Sequence, residues 1–560
     1  MDSKYKIGVI INDFKFNKFE RDTILKLKSS KLNPQIFAIL EKEQKENILE
    51  IFLRKFKQHG FFRILEIIFF KILFFTEKKL TSIKYSNINY LNKDFEIDKN
   101  IFHKIIDVDP VFSNYKMYSD YTESDKQKIL NENLDIVIRG NVSNIYKDNK
   151  LNISKFGVIS FHHGDNIWNR GGPPGFWETV LKKKSTGFVI QILNKNLDDG
   201  KIVFKGEFAT KRFYILNLFN LLSESNDFLC DSVIKILQEQ KVVEKYPNQK
   251  TSNLILKKPN LNFILKYIFT KLILVLTLLT IKYFKKSHQK WEIGYCRSNF
   301  KNFNFNNMKK IKNLPSRFFA DPFIVKEKNS HFVFVEDFSF IKNKGSISVV
   351  EVDNNENHKY YENVIVEDFH LSFPYIFKYE NNLYMVPESS EDKSIRLYVC
   401  EKFPNKWKYC YNLISNIRSV DTIIFKKSEI YWMITTGSKK NDFSSQLNIY
   451  FSKNPISQNW EPHKKNPIYF KTEQGRNGGF IKLQDNCYRV AQKVDFNKYN
   501  DLQYGHNIDI NLIEKIDKEN FNESKIDNII PNFKKNILGT HHINGIDDFT
   551  VIDYNYYEKL

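Results

Sequence analysis

The chain is poor in the residues that tie a fold together covalently or hold a structural metal. Its five cysteines, Cys230, Cys296, Cys400, Cys410 and Cys487, form no CxxC pair and have no histidine at zinc-ligand spacing. Neither a disulfide framework nor a metal site is expected. Arginine is also scarce, at 12 of 86 basic residues. The formal charge of +21 therefore rests on lysine, in a chain also rich in asparagine, isoleucine and phenylalanine, a bias typical of an AT-rich genome. No nucleic-acid partner is expected from it; an anionic membrane surface or an anionic sugar nucleotide fits better. No GxGxxG turn follows the first strand-like run at residues 7–11, so a dinucleotide site has no support. The opening MDSKYKIGVIIND lacks the apolar stretch of a signal peptide, which makes the cytoplasm the expected compartment.

What is present describes a folded, multidomain protein. Hydrophobic residues make up 42% and aromatics 15% of 560 residues, too much chain for one ordinary core. The β-branched runs at 7–11 and 134–138, separated by helical stretches, predict parallel strands of an open α/β sheet. Residues 61–75 (FFRILEIIFFKILFF) are apolar nearly all round, interrupted by Arg63, Glu66 and Lys71. They predict a helix packed on the sheet or a basic interfacial helix. Residues 261–284 form a second such stretch, followed by Lys285 and Lys286. A buried or membrane-surface helix within a domain linker is expected there, because the uninterrupted apolar run is shorter than the roughly 20 residues a span needs.

From Trp291 onward the sequence repeats. Ala320-Asp321-Pro322-Phe323-Ile324 leads to Phe332-Val333-Phe334-Val335-Glu336, and Ser372-Phe373-Pro374-Tyr375-Ile376 to Tyr384-Met385-Val386-Pro387-Glu388. Val420-Asp421-Thr422-Ile423-Ile424 leads to Tyr431-Trp432-Met433-Ile434-Thr435, and Asn477-Gly478-Gly479-Phe480-Ile481 to Tyr488-Arg489-Val490-Ala491-Gln492. Strand-turn-strand units with a period of about 50 residues and little helix signal predict a β-propeller. Residues 291–295 and 549–557 would supply a composite closing blade, giving five blades. The expected fold is multidomain: an N-terminal Rossmann-like α/β open sheet over 1–245, a helical linker over 246–288, and an all-β five-bladed propeller over 289–560.

The richest chemistry in the first half lies at residues 157–206. A strand ending at His162 and His163 is followed by a glycine- and proline-rich loop from Arg170, a second strand from Thr186, and a turn holding Asp198 and Asp199. A histidine at a strand end facing a carboxylate on a nearby turn suits acid-base work in an open sheet. Ser160-Phe161-His162, Arg170-Gly171, Thr186-Gly187-Phe188-Val189-Ile190 and Leu197-Asp198-Asp199-Gly200 resemble, in order and spacing, the formyltransferases that use formyltetrahydrofolate. The resemblance implies that fold, formyltetrahydrofolate as co-substrate, His162 and Asp198 with Ser160 as catalytic groups, and Arg170, Gly171, Thr186 and Gly187 as its contacts. Such a reaction needs a donor for a developing oxyanion and a group to take the amine proton. The family's asparagine is Ser160 here, a shorter donor, with His163 and Asn166 as substitutes nearby.

In the second half, the repeat register puts Asp321, Phe373, Asp421 and Gly478 at one position and Glu336, Glu388, Thr435 and Gln492 at another. Carboxylates lining a propeller axis suit glycosidic chemistry. This half resembles the propellers of furanosidase-type glycoside hydrolases and the propeller-like domain of glucosamine inositolphosphorylceramide transferases. The resemblance implies Asp321, Asp421 and Glu388 as sugar-facing residues. Together the two halves predict an enzyme of surface-polysaccharide biosynthesis that transfers a formyl group to an amino sugar on a nucleotide or lipid-linked glycan, with peripheral membrane contact. The alternative is a glycosyltransferase or hydrolase with its chemistry in the propeller and a degenerate N-terminal domain.

Overall fold

The computed structural model describes residues 4–42, 53–54, 56–58, 60–113, 118–142, 144–195, 200–246, 251–284, 287–499, 501–534 and 536–559. The chain divides into two compact units, Met1–Lys271 and Leu272–Leu560.

The first unit is built on seven strands: β1 (Lys6–Ile11), β2 (Gln35–Glu41), β3 (Lys104–Val108), β4 (Ile136–Arg139), β5 (Val158–His162), β6 (Ser185–Ile192) and β7 (Lys201–Ala209). Their order across the sheet is β3-β2-β1-β4-β5-β6-β7. The β1–β2, β2–β3, β1–β4 and β4–β5 pairs are parallel, and β5–β6 and β6–β7 are antiparallel. Strands covered on both faces need continuous apolar runs rather than alternation. Ile7, Val9, Ile10 and Ile11 on β1, and Ile36, Phe37, Ala38 and Ile39 on β2, are buried accordingly. This is the open α/β sheet expected from the sequence.

Four helices of this half matter for position: α1 (Lys18–Lys28), α2 (Phe61–Ser82), α3 (Tyr214–Glu239) and α4 (Leu261–Leu279). Asn17 caps α1, its side-chain oxygen accepting from the Phe19 and Glu20 amides. Phe70 of α2, Tyr214 and Ile215 of α3, and Ile264 and Tyr267 of α4 share one apolar cluster. The stretch expected to act as a linker is thus docked in its first half, because Ile264 and Tyr267 complete the first unit's core, and the division between units falls inside α4.

The second unit consists of strands that pair antiparallel in succession, apart from the parallel Ile481↔Gly545 pairing. One sheet holds β10 (Arg317–Glu327), β11 (Ser330–Ser339), β12 (Lys344–Val352) and β13 (His358–Ile365) after β8 (Ser287–Cys296) and β9 (Lys309–Ile311). The next holds β14 (Ser372–Tyr379), β15 (Asn382–Glu388), β16 (Ser394–Lys402) and β17 (Lys406–Ser415). The third has β18 (Ser419–Lys427), β19 (Ile430–Gly437), β20 (Gln446–Ser452) and β21 (Glu461–Pro462), with β22 (Tyr469–Phe470) also on β20. A nine-stranded sheet joins β23 (Arg476–Leu483), β24 (Asn486–Phe496), β25 (Leu502–Ile516) and β26 (Phe521–Ile529) to β27 (Ile537–Gly539), β28 (Ile543–Ile546) and β29 (Phe549–Lys559). Its order is β9-β8-β29-β28-β23-β24-β25-β26, with β27 on β29. The chain's last strand pairs with β8 along its length, from Ser287↔Lys559 to Cys296↔Thr550. The beginning and end of the unit are zipped together, which removes two edges at once. The sequential four-stranded sheets make the unit propeller-like, as the 50-residue repeat anticipates.

A local device recurs on the leading strand of each repeat. Register shifts fall between Ala320 and Phe323, Ser372 and Tyr375, Val420 and Ile423, and Asn477 and Phe480. Each shift contains a left-handed residue: Asp321 (φ 50°), Phe373 (φ 45°), Asp421 (φ 55°) and Gly479 (φ 122°). Bulges of this kind bend a strand and re-aim one side chain, and left-handed non-glycine backbone persists only where its surroundings hold it.

Candidate active site

The repeated bulges bring acidic residues of separate sheets into one buried cluster. Asp321 Oδ2 accepts from the Phe373 amide of the next sheet at 3.2 Å, and the Asp321 amide donates to Asp553 Oδ2 at 3.1 Å. Asp421 Oδ2 takes the Arg476 Nε–H at 2.8 Å and the Gln492 side-chain amide at 3.4 Å, while its carbonyl accepts from Asn477 Nδ2 at 2.7 Å. Glu388, half-buried, accepts from Ser372 Oγ and from the Ser390 amide, both at 2.9 Å. The Arg476 guanidinium lies 4.0 Å from the ring centre of Tyr504, a cation–π contact that fixes its plane.

His541, just before β28, joins these groups. Its Nδ1 lies 2.7 Å from Asp553 Oδ2 and its Nε2 lies 3.4 Å from Asp321 Oδ1, and the ring stacks on Trp291 at 3.8 Å. Burial works against charge on His541, and the Asp553 and Asp321 carboxylates outweigh it, so its pKa is raised. Burial pushes Asp321 up to about 7 against the pull of His541, with Asp421 and Asp553 adding to the rise. Asp421 is raised by burial in spite of Arg476. Glu336 is pushed well above the carboxylate range by burial and by Asp321 and Glu388. Asp553 goes the other way, since His541 overcomes its burial. The cluster therefore holds carboxyls that keep a proton near neutral pH beside one that stays ionised, the separation that acid-base chemistry requires. Among the described residues, Asp321, His541 and Asp553 also bring donor atoms within 4.8 Å of one another, an arrangement their ion pairs account for.

Asp321, Asp421 and Glu388, expected from the sequence to face sugar, are thus brought together. Of the second register, Glu336 and Gln492 line the same cluster, whereas Thr435 bonds Thr422 at 2.8 Å within its own sheet. Arg476, Tyr504, His541 and Asp553 are added by the structure. Arg476 stands one residue before the fourth repeat and is legible there. His541 and Asp553 lie where two distant segments of the chain pair, β8 with β29, and no 50-residue period runs there.

The first unit has a cavity of about 820 Å³ at the end of β5, lined by Ser160, His162, His163, Arg170 and Gly171 together with Phe16, Phe19 and Glu20 of the α1 region. Burial, helped by the neighbouring His162, lowers His163 to about 4, so its ring is neutral at physiological pH. Ser160 Oγ donates to the Phe161 carbonyl at 3.0 Å. Thr186 and Gly187 do not line this cavity: Thr186 Oγ1 meets Thr210 Oγ1 at 3.0 Å, and a Cβ on Gly187 would sit 2.7 Å from Asp165 Cβ. They pack β6 against its neighbours. Asp198, with Leu197 and Asp199, lies outside the described residues.

Residues 305–549 match the family described as glucosamine inositolphosphorylceramide transferase 1, N-terminal. Glucosamine inositolphosphorylceramide transferase 1 of Arabidopsis thaliana is 36% identical over 222 residues, covering 38% of this chain and 28% of that protein. The protein of the same name from Oryza sativa subsp. japonica is 32% identical over 245 residues, covering 41% of this chain and 32% of its own. The chain thus spans about a third of the length of these relatives. Among solved structures, a thermostable family-43 glycoside hydrolase aligns at 13% identity and a TM-score of 0.33, covering 43% of this chain and 89% of that one. The Cellvibrio cellulosa alpha-L-arabinanase complexed with arabinohexaose aligns at 14% and 0.31, covering 40% and 82%. The similarity in sequence is therefore to transferases, it falls on the half that carries the carboxylate cluster, and none of these proteins is a formyltransferase.

Proposed function

We propose that this chain is a glycan-active transferase whose chemistry sits at the carboxylate cluster of the second unit, on a five-bladed ring whose last blade is β28, β29, β8 and β9. The observation that carries the reading is the convergence of Asp321, Asp421 and Glu388 beside His541, with Asp321 holding a proton near neutral pH. In a glycosyl transfer the anomeric C–O bond breaks, a new one forms to an acceptor hydroxyl, and that hydroxyl gives up a proton. Asp321 is suited to donate a proton to the departing oxygen, and half-buried Glu388 to receive one. The sequence similarity to glucosamine inositolphosphorylceramide transferases supports transfer to a glycolipid or other glycan over hydrolysis.

A second reading, one-carbon transfer in the first unit, is kept for one observation: His162, Ser160 and Arg170 line a cavity large enough for a cofactor-sized molecule. His162 and Ser160 would face a formyl donor such as formyltetrahydrofolate, with an amino sugar as acceptor.

One experiment separates them. The full chain is incubated with labelled nucleotide sugars and a glycolipid or oligosaccharide acceptor, and separately with formyltetrahydrofolate and amino sugars. Loss of sugar transfer by about 100-fold in Asp321→Asn and Glu388→Gln, with His162→Ala unaffected, is expected, the size a lost acid or base produces. Formyl release that requires His162, without any sugar transfer, would overturn the main reading in favour of the second.

A further inference from the structure

Helices α2 and α4 each turn one side toward protein and leave the other apolar side in solvent. On α2, Phe70 and Glu77 are buried, while Phe62, Phe69, Ile72, Phe75 and Leu80 are exposed, Phe62 to 82%. On α4, Ile264 and Tyr267 are buried, while Leu265, Ile268 and Phe269 are exposed, Phe269 to 65%. On α4 the exposed residues stand three and four positions on from Leu265, and on α2 Phe62, Phe69 and Leu80 stand seven and eleven residues apart, about two and three helical turns, so each helix presents a continuous apolar face. The helices are tied at two points: Glu66 accepts from the Leu261 amide at 3.1 Å, and Glu77 from Tyr267 Oη at 2.6 Å. Apolar faces this extensive on a folded unit mark a docking surface.

The charges beside these faces identify what docks. The exposed charged side chains on the two helices are Lys71, Lys79 and Lys266. The carboxylates are turned inward: Glu66 pairs with Arg63 at 2.6 Å, and Glu77 is buried against the Ile215 amide at 2.7 Å. An apolar face fringed by lysine alone complements anionic lipid, with its acyl region below and its negative headgroups beside the ammonium groups. A second copy of the chain would bring the same lysines face to face.

We propose that α2 and α4 lie in the interfacial plane of an anionic bilayer, anchoring the first unit on a membrane surface. The stretch Leu261–Tyr283 is long and apolar enough to cross a membrane by length and composition. Crossing would, however, strip Ile264 and Tyr267 from the core they complete and carry Lys266 and Lys271 out of water, whereas lying flat leaves both in place. The proposal does not depend on the reaction assigned to the second unit.

The full chain is floated with vesicles of phosphatidylcholine alone and of phosphatidylcholine with one-third phosphatidylglycerol, at low and high salt. Binding to the anionic vesicles is expected to be at least about tenfold tighter and to weaken with salt. Phe62→Glu with Phe269→Glu, both at exposed positions, should abolish it at unchanged melting temperature, and Lys71→Glu with Lys266→Glu should remove the preference for anionic lipid. No binding by the parent protein, or binding indifferent to both double variants, overturns the proposal. So does a lipid-independent dimer that Phe62→Glu disrupts, which would make the face an interface between copies. Resistance to alkaline extraction would overturn it in favour of a spanning helix.

Discussion

The Nε2 atom of His541 lies 3.4 Å from Oδ1 of Asp321, while the other ring nitrogen is held by Asp553. This ordering makes Asp321 the adjustable member of the group: Asp553 stays ionised against the imidazolium, and the carboxyl on the far side gains or loses a proton with its surroundings. The Phe373 amide, donating to the same carboxylate, links that proton to the neighbouring sheet.

The pH dependence of stability follows from the direction in which Asp321 is displaced. A carboxyl raised to about 7 in the folded protein contributes stability that is fully present below its unfolded value of 3.8 and is lost as pH rises through 7. A displacement of that size corresponds to a loss on the order of 4 kcal/mol. Asp321→Asn mimics the protonated form and should flatten this slope. Its melting temperature is expected to gain on the parent protein between pH 5 and pH 8, and equal slopes would contradict the assignment.

The raised Asp321 also predicts the activity profile of the proposed glycosyl transfer. If Asp321 donates a proton, the rate falls as pH rises through about 7. His541→Gln removes the cation that pulls Asp321 down, so the falling limb should move to higher pH. A profile whose falling limb is unmoved in His541→Gln would show that the acid is another group.

Arg476 and Asp421 form a pair in which both partners are largely out of water, 2.8 Å apart. Removing one member of a buried pair costs about 3–5 kcal/mol, because the other is left buried without its partner. Arg476→Met is expected to destabilise the second unit by that amount in urea unfolding. Adding Asp421→Asn should recover a large part of it.

How far these features can be read from sequence depends on whether they repeat. Asp321 and Asp421 occupy one register position, and the structure shows why: each sits in a bulge at a left-handed residue on the leading strand of its sheet. Periodicity alone places both at the cluster. His541 and Asp553 escape it because the strands around them, β8, β28 and β29, come from segments far apart in the chain, so no local period announces them. In the first unit, the strand runs at 7–11 and 134–138 are legible because parallel strands are apolar throughout. Thr186 and Gly187 belong to a motif that resembles a ligand contact, yet Thr186 is buried beside Thr210 and Gly187 against Asp165. Motif order cannot tell packing from binding there. The first half of α4 reads as linker for a similar reason: its apolarity is plain, but its partners Phe70 and Tyr214 lie far away in sequence.

The pairing of β29 with β8 predicts the effect of truncation. Ten residues of β8, Ser287 to Cys296, each face a partner on β29. Deleting residues 543–559 leaves the β8 edge that faces β29 unpaired, along with the β23 edge beside β28. The truncated chain is expected to lose the cooperative unfolding of the second unit and to aggregate, while the first unit keeps its own transition in calorimetry. A second unit that still melts cooperatively would mean that it does not depend on the β8–β29 pairing.

Two glycines separate the strain of a left-handed backbone from the strain of a collision. Gly60 has φ 74° and a Cβ there would meet nothing within 4 Å, whereas Gly479 has φ 122° and a Cβ there would stand 2.1 Å from the Ile543 carbonyl oxygen. Gly60→Ala carries the cost of backbone conformation alone, about 1–2 kcal/mol. Gly479→Ala adds a backbone collision at the point where β23 meets β28, near the Ile481↔Gly545 pairing that joins these two strands. The carbonyl cannot withdraw without parting these strands, so the cost should exceed about 3 kcal/mol. Urea unfolding of the two variants measures the difference. Equal losses would mean that the β23–β28 junction is loose enough to yield.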